Sequence, residues 1–312
     1  MYKEKRIPRS EFVPIRGLNY HVQLWGNAPD TASTLPPLVL VHGWMDVAAS
    51  YQFMVDAFSS AFAEGRCIIA PDWRGFGQTA SPLPGRHADS YWFPDYLADL
   101  DFLLDHYFKG QAIDLVGHSM GGNVAMMYAG VRPERVRKLV NLEGFGLAAT
   151  QPAQAPTRYA RWMDELKCLQ RGELDLKPYD DVSGVARRLM KTNPRLTPDK
   201  ANWLASHWSS LDASGKWQIL GDPAHKIANA NLYQVEEALA IYRCISAPVL
   251  AVEASDDSLT QWWQGKYTLA HYHERLREVP SAQIAVINDA GHMLHHDQPE
   301  ALAGLIEDFL RD

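Results

Sequence analysis

Apolar residues recur along this chain in two alternating patterns. Short continuous runs read as strands buried on both faces: Leu38-Val39-Leu40-Val41, Cys67-Ile68-Ile69-Ala70, Ala112-Ile113-Asp114-Leu115-Val116, Lys138-Leu139-Val140-Asn141-Leu142, Pro248-Val249-Leu250-Ala251-Val252 and Gln283-Ile284-Ala285-Val286-Ile287. Upstream, Phe12 to Arg16 and Tyr20 to Trp25 read as two more strands, joined in a hairpin at Gly17-Leu18-Asn19. Helical stripes lie between the runs. Leu97, Leu100, Leu103 and Leu104 form one, and Leu302, Leu305, Ile306 and Phe309 form another, with Pro299 suited to a first helical turn. Such alternation predicts a mostly parallel sheet with helices on both faces.

From about Gly146 to about Arg243 the alternation stops. This stretch carries short helical patterns at Tyr159 to Leu169, Val182 to Lys191 and Pro198 to Trp208, but no buried strand, and it is too long for a loop in a compact domain. It reads as a helical insertion over one edge of the sheet. Its tryptophans, Trp162, Trp203, Trp208 and Trp217, suit helix packing or the wall of an apolar pocket.

The most informative segment is Asp114-Leu115-Val116-Gly117-His118-Ser119-Met120-Gly121-Gly122, a strand followed by G-x-S-x-G and a helical run. In that context the serine sits on a tight strand-to-helix turn, its hydroxyl exposed at the carboxyl end of the sheet and at a helix N-terminus. A serine hydroxyl needs a base. His292, in the loop after the strand Gln283 to Ile287, is the candidate, with His295 and His296 assigned to the start of the next helix. The base needs a carboxylate to fix its tautomer. The order serine, acid, histidine favours Asp257 in the loop after Pro248 to Val252, ahead of its neighbour Asp256. Glu143, at the end of the preceding strand, is a further candidate that could reach the same histidine from the side. Acyl transfer also needs oxyanion donors, expected from the backbone N–H groups of Met120 and Trp44. His42, beside Trp44, reads as a hydrogen-bonded loop histidine, and Arg74 as a structural tie between loops.

Together these pieces resemble the α/β-hydrolase fold superfamily of esterases, lipases and epoxide-hydrolase-like proteins, and more loosely its serine-hydrolase-like branch. The matching segments are His42-Gly43-Trp44, Asp72-Trp73-Arg74-Gly75-Phe76-Gly77, Gly117-His118-Ser119-Met120-Gly121, Asn141-Leu142-Glu143-Gly144-Phe145-Gly146, Asp257 and Gly291-His292. The resemblance implies an eight-stranded, mostly parallel sheet flanked by helices, with a helical cap after strand six. Residues 1–145 and 244–312 would then form the core and 146–243 the cap. It implies no cofactor and no metal. Ala254 stands where relatives often have glycine. Epoxide hydrolases and haloalkane dehalogenases of this fold carry aspartate where this chain has Ser119. Serine points instead to an acyl-enzyme, as in a carboxylic ester hydrolase acting on a small or medium apolar substrate. C–C bond, amide or perhydrolysis chemistry, or a ligand receptor on the same fold, are the alternatives.

Composition narrows the partners. Of 312 residues, 46% are apolar and 21% charged, ordinary for a globular protein, and the net charge of −7 argues against a general nucleic-acid binder. Cys67, Cys168 and Cys244 are too few and too widely spaced for a disulfide framework or a metal knuckle. His292 and His296 stand four apart, but Met293 occupies the place where a zinc-protease motif needs glutamate. No run is long enough to span a membrane, and the charged N-terminus lacks the apolar core of a secretory signal, so a cytoplasmic location and a small-molecule substrate are expected.

Overall fold

A computed structural model of the chain describes residues 2–29, 31, 33, 35–79 and 88–311. Parts of the expected core, residues 1, 30, 32, 34, 80–87 and 312, lie outside the described residues. The strands are β1 (Arg9–Ile15), β2 (Leu18–Gly26), β3 (Leu38–Val41), β4 (Cys67–Pro71), β5 (Ile113–His118), β6 (Val136–Leu142), β7 (Ser209–Leu211), β8 (Trp217–Ile219), β9 (Val249–Ala254) and β10 (Ala282–Ile287). The α-helices are α1 (Gln52–Ala57), α2 (Ser60–Ala63), α3 (Phe93–Phe108), α4 (Met120–Val131), α5 (Ala155–Gln170), α6 (Val182–Thr192), α7 (Pro198–Trp208), α8 (Val235–Tyr242), α9 (Ser258–Trp262), α10 (Leu269–Leu276), α11 (Leu294–Asp297) and α12 (Pro299–Leu310).

Eight strands form one sheet in the order β1-β2-β4-β3-β5-β6-β9-β10. β2 is antiparallel to both its neighbours, and every other pairing is parallel. The expected mostly parallel sheet is therefore present. Alternate residues of each central strand enter opposite cores. Val39, Val41, Leu115, Leu139 and Ala251 join the helices α3, α4, α8 and α10. Leu38, Leu40, Val116, Val140 and Leu250 join α1 and α12. Each such fully buried valine or leucine contributes roughly 1.5–3 kcal/mol, which is why runs apolar at every position fold as interior strands.

Two expectations need correction. The β1–β2 turn sits at Arg16-Gly17, with φ of 46° and 78°, one residue upstream of the expected place, because a two-residue hairpin turn of this hand needs positive φ at both central positions. β10 is not buried on both faces: Ile284 and Val286 are 46% and 53% exposed, since this strand is the last in the sheet.

The segment from 146 to 243 holds α5 to α7, which overlap the three predicted helical patterns, together with α8, which the patterns did not include, and the short antiparallel pair β7–β8. α6 and α7 pack Val185, Leu189, Trp203 and Leu204 against Val47 and Phe53. Trp208 and Trp217 border the same cluster, so three of the four tryptophans pack helices. Trp162 faces Trp92, its ring centroid 6.4 Å away.

Candidate active site

The loops at the carboxyl ends of the sheet carry unusual backbone. Met45, Ser119, Glu143 and Asp289 have φ of 53°, 52°, 56° and 52°, and they follow β3, β5, β6 and β10. Such conformations cost roughly 1–3 kcal/mol each and persist where the surroundings enforce them. Ligands of open α/β sheets bind at this end.

Ser119 is held between β5 and α4 at φ 52° and ψ −115°. Its N–H donates to the Leu142 carbonyl at 2.8 Å, and its own carbonyl accepts from the Asn123 N–H at 3.0 Å. Glycine is required at position 121, because a Cβ there would collide with the Val41 and His42 carbonyl oxygens. Met120 opens α4, so its N–H is among the first-turn donors with no acceptor inside the helix. The loop after β3 passes beside the serine: a Cβ on Gly43 would lie 3.1 Å from Ser119 Cβ. Trp44 follows in that loop and is half-exposed.

His292 lies between β10 and α11. Its carbonyl accepts from His118 Nε2 at 2.8 Å, which ties the histidine loop to the residue preceding Ser119. The Trp262 ring stands edge-on to the imidazole at 4.3 Å. The same loop is braced by Asp297, whose carboxylate accepts from the Gly291 N–H at 2.9 Å and from Asn193 Nδ2 at 2.7 Å. Lys200 donates to the His296 carbonyl at 2.8 Å. Asn193 and Lys200 belong to the 146–243 segment, so that segment holds the histidine loop in place.

His292 Nδ1 lies 3.2 Å from Glu143 Oε2. The Glu143 carboxylate is buried at the end of β6. It also accepts from the Ala254 N–H at 2.7 Å and the Ser258 hydroxyl at 2.8 Å. Burial pushes this carboxyl up to about 7; the two hydrogen bonds pull against the shift, and the charges of Asp257 and Asp256 add to it. Burial holds His292 down to about 3, so its ring is neutral at neutral pH and can accept a proton.

Asp257, the carboxylate favoured from the sequence, is not hydrogen-bonded to the histidine. It caps α9, accepting from the Thr260 N–H at 2.9 Å. Asp256 is engaged by both terminal nitrogens of Arg195, at 2.6 and 3.1 Å. The physical reason is that β6 and β9 are adjacent and parallel, with Leu142 opposite Val252, so carboxylates at the ends of either strand compete for one space. The chain order serine, acid, histidine is satisfied by either, and only the folded register separates them.

His42 and Arg74 occupy structural positions. His42 Nδ1 donates to the Gly43 carbonyl at 2.8 Å, and Nε2 accepts from the Trp73 N–H at 2.9 Å. Arg74 grips Asp99 with two nitrogens at 2.5 and 2.6 Å. A feature with no sequence signal is a buried group behind the serine, formed by Asp46, His118 and His295.

The family described as alpha/beta hydrolase fold matches residues 36–299. The chain belongs to that family. The alpha/beta hydrolase is 24% identical to a serine hydrolase-like protein of Danio rerio over 97% of this chain and 88% of that one. It is 28% identical to the 2-hydroxymuconate semialdehyde hydrolase of Pseudomonas putida over 88% of this chain and 87% of that one. Among solved structures it resembles the thioesterase domain from the curacin biosynthetic pathway, with a TM-score of 0.77 and 23% identity over 96% of this chain and 99% of that one. An esterase from Mycobacterium tuberculosis superposes with a TM-score of 0.67 at 20% identity, covering 97% and 91% of the two chains. These structural likenesses speak to the fold alone. Among the described residues, no helix of this alpha/beta hydrolase is long and apolar enough to cross a membrane.

Proposed function

We propose that this alpha/beta hydrolase cleaves carboxylic esters, acting on a small or medium apolar substrate through an acyl-enzyme, with Ser119 as nucleophile, His292 as base and Glu143 as the acid. The observation that carries the reading is the hydrogen bond between His292 Nδ1 and Glu143 Oε2, in a loop fastened to His118 next to the serine. With Nδ1–H donated to the carboxylate, Nε2 keeps its lone pair for the Ser119 proton. The imidazolium formed on attack is then stabilised by the buried Glu143 charge. It returns the proton to the leaving alcohol, and the same nitrogen next activates water. The N–H groups of Met120 and Trp44 are the proposed oxyanion donors. Residues 146–243 are read as the cap over this site, on a core of 1–145 and 244–312.

Hydrolysis of p-nitrophenyl acetate by the wild-type chain and by Ser119→Ala tests the reading. The variant should lose at least roughly a thousand-fold in kcat. Full activity in the variant contradicts the proposal. A second reading keeps the same residues and changes the bond cleaved, to C–C, amide or perhydrolysis substrates. The 28% identity to an enzyme named as a semialdehyde hydrolase favours including such substrates in the assay.

A further inference from the structure

Behind Ser119 the loop after β3, the last residue of β5 and α11 bring Asp46, His118 and His295 together in the interior, each with a relative exposure of 3% or less. One donor atom from each lies within 4.8 Å of the others, and His295 Nε2 stands 4.0 Å from Asp46 Oδ2. Asp46 Oδ2, His118 Nδ1 and both ring nitrogens of His295 have no hydrogen-bond partner among the described residues. A buried polar atom left so costs about 1–3 kcal/mol. The hydrogen bonds around the group decide what would satisfy these atoms. His118 Nε2 faces the His292 carbonyl at 2.8 Å, and a carbonyl only accepts, so the ring hydrogen is on Nε2 and Nδ1 presents a bare lone pair. Asp46 Oδ1 accepts from the Val47 N–H and the Ser50 hydroxyl, leaving Oδ2 as a second lone pair. His295 can offer a third. Space in front of His118 Nδ1 is kept by Gly43, where a Cβ would lie 3.0 Å from that nitrogen.

We propose that Asp46, His118 and His295 bind one borderline divalent transition-metal ion of the zinc type. Two imidazole nitrogens and one carboxylate oxygen are the donor set such ions take, and a histidine whose other nitrogen donates to a backbone carbonyl is the usual arrangement of a metal ligand. Bonds of about 2.0–2.2 Å place tetrahedral ligands roughly 3.3 Å apart, so donor atoms now within 4.8 Å of one another need to close by at most about 1.5 Å. The inferred set draws on residues 46 and 118 rather than on the His292–His296 spacing, so sequence periodicity carries no trace of it. A bound ion would join the loop after β3, the end of β5 next to Ser119 and α11, which follows the loop holding His292, independently of which reaction Ser119 performs.

The test uses the full chain, purified without a histidine tag, stripped with a chelator, loaded with zinc chloride and dialysed. Mass spectrometry of the metal content should give one zinc per chain, with a raised Tm. Asp46→Asn and His295→Gln should weaken zinc binding roughly 100-fold or more, while His106→Gln, at an exposed position, should retain it. Should either buried variant fail to fold, crystals of the zinc-loaded wild-type chain decide: anomalous scattering at the zinc edge between the three side chains is expected. No stoichiometric zinc in the wild-type chain, retention in folded Asp46→Asn and His295→Gln, or a water in that position in the zinc-loaded crystal overturns the proposal.

Discussion

Glu143, and not Asp257, holds the ring of His292: its Oε2 lies 3.2 Å from Nδ1, while Asp257 Oδ1 accepts from the Thr260 N–H at 2.9 Å. If Glu143 is the acid of the proposed site, Glu143→Gln should lower kcat on p-nitrophenyl esters by roughly a thousand-fold or more, since the imidazolium loses its counter-charge. Asp257→Asn should leave kcat within a few-fold, because asparagine also caps helices well. Asp257→Ala should cost only stability, about 1 kcal/mol, from the lost cap on α9. Steady-state kinetics and thermal melts on the three variants separate these outcomes. The reverse order of effects would return the role to Asp257.

The Ser258 hydroxyl donates to Glu143 Oε2 at 2.8 Å and stabilises the ionised carboxylate. Removing it in Ser258→Ala should raise the Glu143 value further above about 7. The proposed mechanism needs that carboxylate ionised, so the acid limb of the kcat/KM profile should move to higher pH, with the plateau changed only a few-fold. A profile that does not move would show that Glu143 does not control the rate.

Burial also predicts how stability depends on pH. Six histidines, His42, His118, His225, His292, His295 and His296, are held below their ordinary value of 6.5 by desolvation. Below about 6.5 the unfolded chain takes up protons there that the folded chain does not, so each histidine makes stability fall as pH drops toward its folded value, about 4 for His42 and about 3 for His225, His292 and His296. Asp46, Asp114, Glu143 and Glu253 are raised by burial and act in the opposite sense above their ordinary values, for Asp46 and Glu143 up to about 7. Six groups outweigh four, so Tm should be lower at pH 5 than at pH 7. A Tm that is unchanged or higher at pH 5 would contradict this balance.

Much of this arrangement was legible in the residues. The apolar runs located the interior strands because both their faces are buried, and the Gly117 to Gly121 spacing located the strained turn at Ser119 because close backbone contacts exclude a side chain there. α12 follows its leucine and isoleucine stripe from Pro299 to Leu310. The β7–β8 pair was not legible, since three residues per strand are too few to show a period. Nor was the choice between Glu143 and Asp257. That depends on β6 and β9 lying side by side, a relation between residues more than a hundred positions apart. The grouping of Asp46 with His118 and His295 is of the same kind.

The most direct test of the proposed site is to treat the chain with diisopropyl fluorophosphate and map the adduct by peptide mass spectrometry. The account predicts one phosphoryl adduct, on Ser119, formed in step with loss of esterase activity and strongly slowed in His292→Ala and Glu143→Gln. Labelling at another residue, or undiminished labelling of Ser119 in those two variants, would contradict it.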